Sequence, residues 1–192
     1  MANNVIELKV ILVGDSGVGK TSLINSCSGQ KFNESEEPTI SGNYVIRNLK
    51  IDGKEYKVNL WDTAGQEKYR HLTKLFYKGS SIIFFVYDIT NEKSFESLPI
   101  WIKEVKDVLG SEAILGLVGN KKDLYLNELV KEKTGIDYAK EHGMEFKLTS
   151  AKTDPDGLNE LLESLVKKVK VKKNAGFNID KKHSKEGKNC GC

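Results

Sequence analysis

A chain of 192 residues with 39% hydrophobic content has the length of a single domain, because one core of this size buries most of the surface that unfolding would expose. No stretch approaches the roughly 20 apolar residues of a transmembrane helix, and the first residues lack the apolar segment of a signal peptide, so we expect a protein of the cytosol. Three cysteines, two of them among the last three residues, cannot form a disulfide framework.

The formal net charge of +3 is unevenly distributed. Residues 167–192 contain nine lysines against one aspartate and one glutamate, so this segment carries +7 and the rest of the chain −4. A slightly acidic body argues against a nucleic-acid-binding protein, and a basic tail favours contact with an acidic surface through the tail alone.

Strands and helices alternate along the predicted chain. In chain order, the predicted elements are a strand at 5–13, a glycine-rich loop at 14–21, a helix at 22–27, strands at 44–49, 56–61 and 81–87, a helix at 93–109, a strand at 113–118, a helix at about 128–141, a strand at 145–148 and a helix at 158–171. The turn signal Asp52-Gly53 makes the second and third strands an antiparallel pair. The later apolar strands are typical of a parallel sheet buried on both faces. We therefore expect an open α/β sheet that binds ligands outside the carboxyl ends of its strands.

The pattern G-x-x-x-x-G-K-[ST] occupies residues 14–21, between the first strand and the first helix. Such a loop bends backbone N–H groups around a phosphate, which requires glycine where a side chain would block the approach. Lys20 would reach the β- and γ-phosphate oxygens and Thr21 would ligate Mg²⁺, beside the positive end of the helix dipole. The alternative is an ordinary glycine turn. The candidate nucleotide-binding residues here are Asp15, Ser16, Gly17, Val18, Gly19, Lys20, Thr21 and Ser22.

A second motif, Trp-Asp-Thr-Ala-Gly-Gln-Glu at residues 61–67, follows the third strand. Asp62 can hold a metal ion through water, the Gly65 N–H can bond a γ-phosphate, and Gln66 can orient an attacking water. The alternative is a polar loop with a capping aspartate.

Two further motifs, N-K-x-D at residues 120–123 and Ser-Ala-Lys at 150–152, each end a predicted strand. The Asp123 carboxylate can accept N1–H and the exocyclic amine of guanine, a pair of donors that adenine lacks. The Ala151 N–H could bond guanine O6 and so disfavour the amino group of adenine. A solvated turn is the alternative for N-K-x-D. The candidate base-binding residues are Asn120, Lys121, Asp123, Ser150, Ala151 and Lys152.

These motifs, in this order and together with Thr39, resemble those of the small GTPases of the Ras superfamily. Within it the chain resembles the Rab family, through the glycine loop, the motif at 61–67, Val-Tyr-Asp-Ile-Thr at 86–90 and the terminal Cys-Gly-Cys. The resemblance implies a P-loop NTPase G domain over residues 1–172, with a six-stranded, mostly parallel sheet, one antiparallel edge strand and helices on both faces. It also implies switch regions at about 32–45 and 63–79.

The resemblance also implies the roles of individual residues. Phe32 would pack edge-on against the guanine, and Thr39 would close on Mg²⁺ and the γ-phosphate in the GTP state. Hydrolysis would depend on Gln66, with Lys20 and Thr39. The implied effector-binding residues are Ile40, Tyr44, Trp61 and Tyr77. Without the family, the aromatic residues are expected to be partly buried packing residues.

Two switch segments depart from the usual Rab pattern: residues 39–44 are Thr-Ile-Ser-Gly-Asn-Tyr, and residues 76–80 are Phe-Tyr-Lys-Gly-Ser. These positions shape effector choice and leave the phosphate chemistry intact.

Slow GTP hydrolysis is expected, because the chain has only two arginines, Arg47 and Arg70, and neither is positioned to act as an arginine finger in cis. The same shortage argues against a nucleotide kinase, which needs an arginine-bearing lid. A scaffold that never hydrolyses its nucleotide, or a membrane-binding module led by the tail, is an alternative. Gln66 argues against the first, and the intact nucleotide motifs argue against the second.

Residues 173–192 are predicted to be a disordered basic tail. The resemblance implies geranylgeranyl groups on Cys190 and Cys192. Two lipid chains anchor a protein stably where one is marginal, and lysines add attraction to anionic lipid. Two unmodified thiols are the alternative.

The resemblance further implies a monomeric switch for vesicle trafficking, at the cytosolic face of an intracellular or plasma membrane. Its implied partners are an exchange factor, a GTPase-activating protein, a GDP-dissociation inhibitor, a prenylation escort and effectors.

Overall fold

The computed structural model describes residues 5–36, 39, 43–63 and 76–169. The six strands β1 to β6 are Ile6–Val13, Asn43–Ile51, Lys54–Asp62, Ile82–Asp88, Ile114–Asn120 and Glu145–Leu148. The α-helices α1 to α5 are Lys20–Cys27, Glu92–Glu96, Leu98–Leu109, Glu132–Glu141 and Gly157–Lys168, and a 3₁₀ helix spans Lys122–Asn127. Over these ranges, no helix is both long enough and apolar enough to cross a membrane.

The strands form one sheet in the order β2-β3-β1-β4-β5-β6. The edge strand β2 is antiparallel to β3, and the other neighbouring pairs are parallel. Asp52 and Gly53 join β2 to β3 with φ angles of 49° and 75°, and two positive values are what a type I′ hairpin turn requires. The predicted α/β sheet with one antiparallel edge strand is therefore confirmed.

Two apolar cores lie on opposite faces of the sheet, because successive side chains of a strand point to opposite sides. Val10 of β1 belongs to the core beneath α1 and α5, where Leu162 is also fully buried. Its neighbour Ile11 belongs to the core beneath α3, where Trp101 is 1% exposed. Helices therefore cover both faces of the sheet, and the carboxyl ends of the strands remain open at one end of it.

The helix predicted at 93–109 is two helices, α2 and α3, and this prediction of a single helix is wrong. Pro99 occupies the first turn of α3, where a missing N–H costs no hydrogen bond. The apolar periodicity continues across the break, so it gave no sign of it.

The helix predicted at about 128–141 begins later, at Glu132. The backbone N–H groups of Leu129 and Val130 both donate to the carbonyl of Ile89. These two residues are therefore bonded to the end of β4 instead of entering the helix.

Candidate functional site

The glycine-rich loop between β1 and α1 needs glycine at its two ends for steric reasons. A Cβ atom on Gly14 would lie 2.2 Å from the carbonyl oxygen of Val86, and one on Gly19 would lie 2.4 Å from Nδ2 of Asn120. Both residues also have positive φ angles, 149° and 92°, which other residues adopt at a cost. The loop is thus pressed against the neighbouring strands β4 and β5.

The ammonium group of Lys20 is held inside this loop. Its Nζ atom donates to the carbonyl oxygens of Gly14 and Asp15, each at 2.8 Å, and the residue is only 5% exposed. Burial lowers the pKa of Lys20 to about 8, against the charges of Asp62 and Asp15, which raise it. A cation that is poorly solvated and surrounded by a loop of N–H groups is suited to bind an anion.

Three side-chain oxygens from distant segments converge beside Lys20. The hydroxyl oxygens of Thr21 and Thr39 lie 2.7 Å apart, and both hydroxyls donate to Oδ2 of Asp62, at 2.7 and 2.9 Å. Burial raises the pKa of Asp62, opposed by these two hydrogen bonds, by the charge of Lys20 and by the Thr63 backbone N–H. The other carboxylate oxygen, Oδ1, is buried and makes no hydrogen bond of normal geometry with the described part of the chain.

This oxygen set fits a magnesium ion that is shared with a ligand. Mg²⁺ prefers oxygen, and proteins usually hold it through one or two carboxylates together with phosphates and water. Within residues 5–36, 39, 43–63 and 76–169 there is no cluster of three or more histidine, cysteine or acidic residues that could hold a metal. Oxygens of a bound phosphate and of water would complete the coordination of a cation at Asp62.

On the other side of the loop, Asn120 at the end of β5 connects three segments. Its Nδ2 donates to the carbonyl of Val18 at 2.8 Å, and its Oδ1 accepts from the N–H of Ala151 at 3.2 Å. The residue is 2% exposed. The sequence suggested that the Ala151 N–H bonds a guanine oxygen, whereas in the structure it is paired with Asn120. A base oxygen would have to share or replace this hydrogen bond.

The Asp123 carboxylate is oriented by Ser150, which is fully buried. The Ser150 hydroxyl donates to Oδ1 of Asp123 at 2.5 Å, and its oxygen accepts from the backbone N–H groups of Lys152 and Thr153, each at 3.1 Å. The other Asp123 oxygen is not part of this arrangement. The 3₁₀ helix and the loop after β6 are thus joined by one hydroxyl group.

Two lysines border the base-binding side. Lys121 has a φ of 67°, and its Nζ lies 2.6 Å from Oδ2 of Asp88. Lys152 reaches across the opening to Oε1 of Glu34 at 2.6 Å, with its ammonium 5.8 Å from the centre of the Phe32 ring. The segment after α1 is therefore linked to the loop after β6.

Most of these residues, though not Asp62, line one cavity of about 380 Å³, which is within the usual range for small-molecule sites. The predicted residues that line it are Ser16, Gly17, Gly19, Lys20, Thr21, Ser22, Phe32, Thr39, Asn120, Lys121, Asp123, Ser150, Ala151 and Lys152. The lining residues that the sequence interpretation missed are Asn33, Glu34, Glu36, Thr63 and Leu124. Four of them lie within the predicted switch regions at about 32–45 and 63–79, and the fifth, Leu124, follows Asp123 directly.

Two predicted nucleotide-binding residues do not line the cavity. Val18 is 1% exposed and packs in the core beneath α1 and α5. The Asp15 side chain is bonded to α3. For both positions the motif identified the loop correctly, but it could not tell which side chains point inward. Ile40, Gly65, Gln66, Cys190 and Cys192 lie outside the described residues.

The structure places the predicted aromatic residues of the effector surface at different depths. Trp61 stacks on Tyr44, with ring centres 4.9 Å apart, and it also contacts Phe76 at 5.5 Å. Tyr77 is fully buried in the core beneath α3, against which Trp61 and Phe76 pack, and its role in effector binding stays a prediction. Consecutive residues of a helical turn point in directions about 100° apart, and here residue 76 is the one that faces Trp61.

The sheet is mostly parallel, and a glycine loop follows β1. A lysine lies inside this loop, and an oxygen cluster lies beside it. These features define a P-loop nucleotide-binding protein. Comparison with known proteins narrows this class. Residues 9–171 match the Ras family. The chain is 42% identical over 164 residues to Ras-related protein Rab-21 of Geodia cydonium, covering 85% of this chain and 71% of the relative.

Two other relatives give the same result. Ras-related protein SEC4 of Saccharomyces cerevisiae is 40% identical over 180 residues, covering 94% of this chain and 83% of the relative. Human Ras-related protein Rab-8B is 38% identical over 170 residues, covering 88% and 82%. The chain therefore belongs to the Ras family of small GTPases, in its Rab branch. It binds guanine nucleotide, hydrolyses GTP and acts in vesicle trafficking, with regulators and effectors as its partners.

Proposed function

We propose that the cavity holds GTP with Mg²⁺ and that the chain works as a magnesium-dependent switch. Lys20 binds the β- and γ-phosphate oxygens, and Thr21, Thr39 and Asp62 hold the metal ion. The observation that supports this most directly is the convergence of two hydroxyls on Oδ2 of Asp62, at 2.7 and 2.9 Å, beside a buried Oδ1 that makes no hydrogen bond of normal geometry with the described residues. When bound, the ion neutralises phosphate charge. Loss of the γ-phosphate removes one of the groups that would hold Thr39 beside the metal ion, and this change is the switch.

Guanine is bound by the other half of the cavity. Asp123, held by the Ser150 hydroxyl, accepts the two donors on the guanine edge. Asn120 and Ala151 fix the depth of the base, and Phe32, Lys121 and Lys152 cover its faces and its edge. From the sequence motif, Gly65 bonds the γ-phosphate and Gln66 orients the attacking water.

Hydrolysis by the isolated chain is slow, because no arginine lines the cavity among the residues that the structure describes. Arg47 lies on the edge strand β2. A GTPase-activating protein that supplies an arginine would raise the rate by about 10³ to 10⁵.

The remaining assignments rest on the sequence and the family. Residues 1–172 form the G domain, and the basic tail anchors it through geranylgeranyl groups on Cys190 and Cys192, at the cytosolic face of a membrane. An exchange factor, a GDP-dissociation inhibitor and a prenylation escort complete the cycle. Effectors bind a surface that includes Ile40, Tyr44 and Trp61 together with Phe76, and Tyr77 lies buried next to this surface.

Extraction of the nucleotide that copurifies with the chain, and its identification by chromatography, tests the proposal. GDP or GTP is expected, and its release should accelerate when EDTA removes magnesium.

The Asp123→Asn variant should shift preference from guanine to xanthine nucleotides, and Gln66→Leu should slow hydrolysis without loss of GTP affinity. Purified protein that is empty and does not bind added GTP with magnesium would refute the nucleotide site. Full GTP selectivity in Asp123→Asn would refute the base assignment.

A further inference from the structure

Asp15 is an acidic residue in a loop that must surround a polyanion. Its side chain turns away from the cavity and toward α3, where both of its oxygens have neutral donors. Oδ1 accepts from Nε1 of Trp101 at 2.8 Å, and Oδ2 accepts from the hydroxyl of Ser97 at 2.8 Å.

The donors are fixed by the fold and not by the loop. Trp101 is 1% exposed and packs in the core beneath α3, so its indole N–H has a set position. Ser97 stands immediately before α3. Its hydroxyl also lies 3.1 Å from the carbonyl of Ser94, but the charged acceptor at 2.8 Å is the stronger partner.

The same residue supports Lys20 through its backbone. The carbonyl oxygen of Asp15 accepts from Nζ of Lys20 at 2.8 Å. This carbonyl belongs to the same residue as the carboxylate that Trp101 and Ser97 bond. Rotation of the Asp15 side chain toward the cavity would therefore place a negative charge near the phosphates, beside the ammonium group of Lys20 that its own carbonyl binds. Like charges in a poorly solvated site repel strongly.

We propose that Trp101 and Ser97 are positioning residues for nucleotide binding, which hold the Asp15 carboxylate away from the triphosphate. This inference rests on the proposed nucleotide site. Two residues outside the phosphate-binding motif, at the start of α3, would then contribute to nucleotide retention.

The test is the release rate of fluorescently labelled GDP, with magnesium present, from four forms of the full chain: the wild type, the Ser97→Ala/Trp101→Phe double variant, Asp15→Asn, and the triple variant. The double variant should release GDP about tenfold faster than the wild type. The triple variant should release it within about twofold of Asp15→Asn, because the freed side chain is then uncharged.

Equal acceleration by the double substitution in the wild-type and Asp15→Asn backgrounds would overturn the proposal, since a packing defect does not depend on the charge at residue 15. A wild-type release rate in the double variant would overturn it as well. Ile102→Val removes a methyl group from the same helix and core, and it should leave release unchanged.

Ser97→Ala alone keeps every core atom, so it carries the test if the Trp101 substitution prevents folding. It should accelerate release several-fold, and Asp15→Asn should remove the acceleration. Wild-type protein that binds no guanine nucleotide would instead refute the proposed nucleotide site, a result that is visible before any variant is compared.

Discussion

The two halves of the cavity are built in different ways. The phosphate half is one continuous segment, in which backbone geometry from Gly14 to Thr21 does most of the positioning. The base half is assembled by side chains: Asn120 bonds Val18 and Ala151, and Ser150 bonds Asp123. Adding a Cβ atom should therefore disrupt the phosphate half, and removing a single polar group should disrupt the base half.

The largest effect is expected from Gly14→Ala, in the phosphate half. Its Cβ would overlap the carbonyl of Val86, and its φ of 149° disfavours other residues, so we expect a loss of about 3 to 4 kcal/mol of unfolding free energy. Gly17→Ala is the matched control: its φ is 79° but nothing lies within 4 Å of the added atom, and it should cost about 1 kcal/mol. Urea unfolding at a fixed GDP concentration measures both. Equal losses would mean that crowding against β4 is unimportant.

Asn120→Ala removes the junction between the halves. The carbonyl of Val18 and the N–H of Ala151 lose a buried partner, so GDP affinity should fall about a hundredfold, at about 1 to 3 kcal/mol for each buried group left unpaired. Equilibrium titration with labelled GDP gives the dissociation constant. Asn127→Ala, at the exposed end of the 3₁₀ helix, should keep wild-type affinity. A junction variant that binds as tightly as this control would show that the halves are positioned independently.

Ser150→Ala tests the base half alone. Asp123 loses its orienting hydroxyl, and two backbone N–H groups lose an acceptor. GDP affinity should fall about tenfold, less than for Asn120→Ala because the glycine loop is untouched. The comparison is with Ser164→Ala, whose hydroxyl bonds Glu145, in the same titration. Equal affinities for the two variants would contradict an orienting role for Ser150.

The smallest effect is expected at the rim, where Glu34 and Lys152 form an ion pair that is largely exposed to solvent. Glu34→Gln should accelerate GDP release by no more than about twofold, because exposed pairs are weak, and the difference should disappear in high salt. Asp137→Asn, which breaks another exposed pair, with Lys133, is the control for a general charge effect. An acceleration above about tenfold would mean that the rim closes the cavity.

Much of the fold could be predicted because its signals are local. Alternation in β2 and β3, the Asp52-Gly53 turn and uninterrupted apolar strands each depend on a few neighbouring residues. The apolar spacing continues through both the break at Pro99 and the late start of α4, so spacing alone predicts neither. The break has a local signal, the proline itself, because a proline ends or kinks a helical pattern. The late start has no local signal, because hydrogen bonds to the distant Ile89 are what keep Leu129 and Val130 out of the helix.

The sequence by itself determined the order of elements, the phosphate-binding loop and the identity of nearly all the residues around the cavity. Each motif carries this information because its glycine, lysine or acidic residues stand at fixed spacing within one loop. Only the tertiary structure decided which side chains face the ligand. Asp15 bonds Trp101, 86 positions away, and Asn120 bonds Val18, 102 positions away. The Phe76 ring lies 5.5 Å from the Trp61 ring, whereas Tyr77 is buried in the core. Such choices depend on the direction that each side chain takes once the helices pack on the sheet, and no spacing within one segment contains that direction.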